Sequence, residues 1–304
     1  MTSKTFKPAE NRGSTHTWTV GRAVGEFILI LAALSILIPV IWVFFASFKS
    51  KSEFYGNPWA MPNGLHWQNY VSAFQDAKLG QYFGTSVIVT VMALAIVLVV
   101  ALPCAYVLAR FDFPAKRIIQ VGIQAGLFIN VNYIVVPIFL MLTDGDKLLI
   151  DIFPNGFFIN NVFILALVYA ATSLPFTIFL LQDFFVTIPT TYEEAALLDG
   201  ASQFTIMTRI FFPMAGPAIS MSMLFNFLSY WNDYIIAQTL MPPSADIDRR
   251  TVQVGLLNLM QTQKAATDYG RLYAGMVIVM IPVLIFYALV QKKLLETSNM
   301  GGIK

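Results

Sequence analysis

The chain has 304 residues, of which 57% are hydrophobic and only 12% charged, with a net charge of +2. Soluble domains carry about 25% charged residues, so this composition, with a mean hydropathy of +0.67, excludes an ordinary soluble enzyme, a disordered tail and a nucleic-acid binder. One cysteine, Cys104, and two histidines, His16 and His66, leave no internal disulfide and little material for metal or acid–base chemistry.

Residues 1–23 are polar, with Lys4, Lys7, Arg12 and Arg22, and no small-residue cleavage site follows a short apolar core, so the start does not read as a cleaved signal peptide. A bilayer crossing takes about 20 apolar residues. Seven charge-free stretches reach that length, but the one at 54–75 holds Asn57-Pro58 and Pro62-Asn63-Gly64 and reads as turns and loop. The other six predict an all-α integral membrane protein with spans near 25–47, 83–108, 118–142, 160–182, 214–237 and 272–291. Six spans put both termini on one side. With the N-terminus inside, eleven basic residues fall inside and eight outside, and Arg110, Lys116 and Arg117 crowd one short inner loop, so the positive-inside rule predicts N-in and C-in.

Pro39, Pro103, Pro137, Pro175 and Pro282 fall within spans. Each removes a helix hydrogen bond, which fits either bent helices lining a path or a bundle whose neighbours repair the freed carbonyls. Ionisable groups are nearly absent from the spans; Glu26 and Asp233 sit near ends. Coupling to protons or sodium usually needs such groups at membrane depth. There is no metal motif, no catalytic constellation and no GxxxxGK loop, so no cofactor is expected on this chain and it should not bind ATP itself. The polar groups that do occur are neutral. Ser222, Asn226, Ser229 and Tyr230, followed by Asp233, recur at helical spacing in the fifth span, and Gln120, Gln124, Asn130 and Asn132 do so in the third, beside Gly122 and Gly126. They suit a polyhydroxylated solute on a translocation path, or equally hydrogen-bonded glue between helices. Asp233 fits a solute contact or a helix cap. The five tryptophans read mostly as interfacial anchors.

The loop 183–213 lies on the predicted inner side. Thr190 with Glu193, or Thr191 with Glu194, fits a capping box, Gly200 fits a left-handed helix end and Ser202 fits the cap of the returning segment. A short cytoplasmic helix follows, with a small-residue surface at Ala195 and Ala196. Glu194-Ala195-Ala196, three residues, Gly200, nine residues, Ile210, one residue and Phe212-Pro213 resemble the EAA motif of ABC importer permeases. Phe212 stands where that family normally has leucine. Residues 105–114, Trp231-Asn232-Asp233 and the end Gly301-Gly302-Ile303-Lys304 resemble the carbohydrate-uptake, maltose-type branch, specifically its smaller second permease. The likeness extends over roughly 25–304 and is weaker over 127–160.

The resemblance implies a type I permease fold in a bacterial cytoplasmic (inner) membrane. It implies a second permease subunit, two ATPase subunits that carry ATP and Mg, and an extracytoplasmic solute-binding protein, with no nucleic acid. Glu193, Glu194, Ala195, Ala196, Asp199 and Gly200 would form the helix that couples to the ATPase. Gly301, Gly302, Ile303 and Lys304 would reach the ATPases. The segment 238–271 would face the binding protein, as a solvated loop or as an element reaching into it. The implied function is import of a sugar, an oligosaccharide. The same residues are compatible with an ABC permease for a polyamine or amino acid, and less well with a stand-alone channel or secondary carrier.

Overall fold

A computed structural model of the chain describes residues 20–75, 77–154, 156–243, 248–262 and 268–300, and among them every regular element is helical. The first apolar run forms α1 (Val20–Ala46), and the run read as loop forms two short helices, α2 (Lys51–Gly56) and α3 (Gln68–Phe74). α4 (Leu79–Arg110) follows. At 1.5 Å per residue its length is about 48 Å, more than the roughly 30 Å hydrocarbon layer. α5 (Lys116–Gly126), α6 (Val131–Leu148) and α7 (Val162–Thr187) come next, then α8 (Thr191–Leu198), which occupies the loop carrying the EAA-like residues. α9 (Gln203–Ile206), a π-helical turn (Met207–Phe211) and α10 (Phe212–Met214) lead into α11 (Gly216–Asn232). α12 (Ile235–Leu240), α13 (Val252–Thr262) and α14 (Tyr269–Met300) complete the described chain.

Four helices are long and apolar enough to cross a membrane, and two bent pairs bring the number to six if each pair is one span. The third predicted span is not one helix: α5 and α6 meet at 103°. The apolar run hides the break. Gly126 lets α5 approach α7 so closely that a Cβ there would lie 2.8 Å from the Pro175 ring, and the Asn130 side chain accepts the Asn132 N–H at 3.0 Å to start a new helix. Gly122 has no such neighbour. The fifth span enters through a 72° bend between α10 and α11, where Pro213 and Pro217 flank the break. The five prolines of the spans all sit inside assigned helices.

α4 and α7 pack along each other and join two buried clusters. One gathers Tyr82, Tyr169, Tyr230, Trp231 and residues of α12, α13 and α14; the other gathers Tyr106, Phe185, Ile206 and Phe211 beside α8. Because Tyr82 and Tyr106 lie near opposite ends of α4, the two clusters occupy opposite ends of the bundle. Trp231 departs from the anchor reading. It is 2% exposed, its Nε1–H donates to the Val279 carbonyl at 3.0 Å, and its ring packs on Phe227 and Phe83. Trp59 and Trp67 are exposed, as anchors should be, and Trp18 lies outside the described residues.

The segment read as an outer loop is largely docked. Val252 and Val254 are buried, Gly255 faces the Tyr82 ring so closely that a Cβ would collide with it, and the Val252 N–H donates to Ser86 Oγ at 2.8 Å. The stretch 251–256 is therefore packed against α4. Ahead of it, Asp248 accepts from the Tyr82 hydroxyl at 2.7 Å and from Arg250 Nε at 2.7 Å. Chiefly the hydrogen bonds from Arg250, outweighing burial, hold the Asp248 carboxyl down to about 2. A depressed carboxylate contributes stability above its unfolded value near ~3.9 and loses it as pH falls toward the folded value. Thermal unfolding of the purified protein should therefore show Asp248→Asn less stable than wild type at pH 6. That difference should shrink as pH drops from about 4 toward 2; a gap that stays constant over this range would contradict the assignment.

Candidate functional site

Two constellations stand out, one at each polar feature of the sequence. The first is α8. Pro189 ends α7 and pushes Ile188 to extended backbone (φ −74°, ψ 125°). It also opens the next turn, since the Tyr192 N–H points to its carbonyl at 3.4 Å. Thr190 is already helical (φ −64°, ψ −23°) and its side chain caps nothing. The expected capping box is absent, because a residue with helical backbone cannot turn its hydroxyl onto the N–H groups ahead. The other end follows expectation. Gly200 is left-handed (φ 77°), its N–H bonds the Leu197 carbonyl, and the Ala201 N–H bonds the Ala196 carbonyl, the paired closure that leaves few orphan carbonyls. Ser202 Oγ accepts the Thr205 N–H at 3.2 Å and starts α9.

Adjacent glutamates of α8 have different environments. Glu193 turns inward: its Oε2 lies 4.0 Å from Arg110 Nε, with side-chain exposures of 17% and 7%. Arg110 Nη2 also donates to the Ile188 carbonyl, and the guanidinium sits over the Phe211 ring at 4.5 Å. One side chain at the end of α4 thus touches the α7–α8 junction, α8 and the π turn. Tyr106, one turn earlier, donates to Gln203 at 3.3 Å. Glu194 is exposed. Ala195 is exposed while Ala196 is buried against the inner cluster, so the outward surface is not the alanine pair expected from the sequence. It is Tyr192, Glu194, Leu197 and Leu198, the last 89% exposed. Asp199 is exposed at the C-cap. Sequence reading counted Arg110 among the basic residues of the 110–117 loop and passed over the leucines, whose signal was their helical spacing with Glu194.

The second constellation is a cavity of about 440 Å³. Asn226, Ser229, Tyr230 and Asp233 line it, as do Asn130 and Asn132 at the start of α6. Ser222 does not; it is buried and bonds the Ile219 carbonyl. Gln120 and Gln124 are also elsewhere. α7 supplies Tyr169, Thr172 and Ser173, which lie at i, i+3 and i+4 on one helix face and were not selected from the sequence. Asp233 caps α12 by accepting the Ala237 N–H at 3.1 Å and accepts the Tyr169 hydroxyl at 2.8 Å, so it is both a cap and part of the cavity wall. Among the described residues no cluster of His, Cys, Asp or Glu could hold a metal ion.

Residues 101–295 match the family model described as binding-protein-dependent transport system inner membrane component. The chain is 36% identical over 282 residues to the diacetylchitobiose uptake system permease protein NgcG of Streptomyces coelicolor, covering 93% of this chain and 89% of that protein. Its fold resembles a chain of a bacterial ABC transporter involved in the import of the acidic polysaccharide alginate (TM-score 0.74, 24% identity, 90% and 96% covered). It also resembles a chain of a bacterial alginate ABC transporter solved with an alginate pentasaccharide-bound periplasmic protein (TM-score 0.67, 14% identity, 89% and 94% covered).

Removing one partner of a buried ion pair leaves the other uncompensated, at a cost of about 3 kcal/mol, whereas exposed substitutions stay within about 0.5 kcal/mol. Arg110→Ala should therefore lower the thermal stability of the purified chain strongly and Glu194→Ala hardly at all. Equal effects in a detergent melting assay would contradict the division of labour between Glu193 and Glu194.

Proposed function

The chain belongs to the binding-protein-dependent transport system inner membrane components, the permease subunits of ABC importers, and we propose that it serves an ATP-driven importer of a sugar, an oligosaccharide. It is a multi-pass protein of the cytoplasmic membrane and a transport subunit, not an enzyme. In this proposal it crosses six times with both termini inside, the two bent helix pairs each counting as one crossing. It forms half of a translocation path with a second, different permease. Two ATPase subunits hold ATP and Mg on the inner side, and a solute-binding protein delivers the sugar from outside. The Gly301–Lys304 tail, outside the described residues, reaches toward the ATPases.

The observation that carries the coupling role is the split between the two glutamates. α8 is clamped to α4 through Arg110 and Glu193, yet it presents Glu194 and a ridge of Tyr192, Leu197 and Leu198 outward. Exposed apolar side chains around a carboxylate on a rigid helix fit a protein cleft that carries a basic group. A force applied to α8 passes into α4, α7 and α11 through the contacts of Arg110 and the Gly200 closure. The sugar reading rests on the named relative, the transported class in the solved homologous fold, and a cavity of amides and hydroxyls with no cation on its wall.

Reversing the charge in Glu194→Lys should abolish co-purification with the ATPase subunits and sugar uptake while leaving membrane insertion intact. Undiminished assembly and uptake would overturn the docking role.

A further inference from the structure

The cavity wall is unusual in its aromatic and polar content. Tyr169 and Tyr230 are stacked, with ring centroids 5.3 Å apart and planes at 4°. Tyr230 is 4% exposed, and its hydroxyl, though Ser173 lies near, completes no hydrogen bond. A buried hydroxyl without a partner costs free energy, and this one belongs to a residue that lines a cavity of ligand size. Ser229 is exposed, and Asn130 and Asn132 face the same space from α6. No lysine, arginine or histidine lines the cavity, and its one carboxylate is Asp233.

We propose that this chain itself holds a saccharide subsite here, and that the subsite takes neutral sugars and rejects acidic ones. The proposal rests on the importer reading above. Hydroxyl and amide groups can exchange hydrogen bonds with sugar hydroxyls in either direction. A uronate carboxylate would instead face Asp233 with no cation to separate them, in a medium that screens poorly. The start of α6 does not reverse this. Its Asn132 N–H is taken by the Asn130 side chain and its Tyr133 N–H by the Asn130 carbonyl, leaving little of the helix end for an anion. Tyr169 and Asp233 position the wall: the Tyr169 hydroxyl is fixed on Asp233 Oδ2, which leaves the buried Tyr230 hydroxyl as the unpaired one.

The test uses the full transporter, with its second permease, ATPases and binding protein, in proteoliposomes. The neutral probe is whichever of diacetylchitobiose, trehalose and maltose it carries best, and the competitor is an alginate-derived disaccharide. Tyr230→Phe keeps the stacked ring and removes the unbonded oxygen. It should raise KM for the neutral probe about fivefold to tenfold while thermal stability holds or rises, the opposite of what a purely structural tyrosine would do. Asp233→Asn keeps an acceptor for the cap and removes the charge, and should let the acidic disaccharide compete measurably where wild type is unaffected. Ser229→Trp, at an exposed position, should block uptake without disturbing the buried wall, and serves if Tyr230→Phe fails to assemble. Neutral uptake with unchanged KM and unchanged selectivity in all variants overturns the subsite and leaves the importer reading standing. Uptake of another solute class with no sugar transport overturns both.

Discussion

A single guanidinium ties together the elements at the α8 end of this bundle. Arg110 terminates the long α4, lies on the Phe211 ring, donates to the Ile188 carbonyl where α7 gives way to α8, and faces Glu193 within α8. Burying a cation is expensive unless it is matched by a charge and by acceptors; this one has the Glu193 carboxylate at 4.0 Å and the Ile188 carbonyl, while its Nε completes no hydrogen bond. Its planar fork suits the task better than a lysine ammonium could, since it can stack and donate in different directions at once. The result is that a short surface helix, which alone would be marginal at eight residues, becomes a fixed extension of the crossing helices.

The opposite end of α4 repeats the pattern with different chemistry. Tyr82 meets Asp248 and Arg250, and Ser86 meets the backbone that begins α13. The same helix therefore ties a docked segment at each of its ends, and the polar cavity lies against its neighbour α7, walled by α6, α7 and α11. A displacement entering through α8 can reach the cavity wall by way of α7, whose Tyr169 is bonded to Asp233 and stacked on Tyr230. In the proposed mechanism, mechanical input and solute-facing groups share helices without sharing residues.

The residue order made the long apolar helices legible because a bilayer demands long uncharged runs, and such runs cannot be hidden. Gly200 and Ser202 were readable for the same local reason: a left-handed turn and an N-cap restrict residue type strongly. What the run lengths concealed was the break at 127–130, since the amide caps that permit it are no less compatible with a continuous polar stripe. The pairing of Arg110 with Glu193 joins residues 83 positions apart and leaves no mark in local spacing. Thr190 misled because a threonine ahead of two glutamates fits a capping box only if its backbone is extended, and Pro189 had already set the turn. Tyr169, Thr172 and Ser173 share one face of α7, but that helix is otherwise so apolar over its membrane length that only tertiary packing shows this face meeting the cavity.

The central claim is that α8 and the inner ends of α4 and α7 move as one body. Spin labels at Leu198 and Val107, both exposed, allow electron–electron resonance distances in the assembled transporter with and without ATP. The account predicts an unchanged Leu198–Val107 distance while the distance from Leu198 to a label at Tyr133, across the 103° break, shifts between the two states. A helix that swings relative to Val107 when nucleotide binds would contradict it.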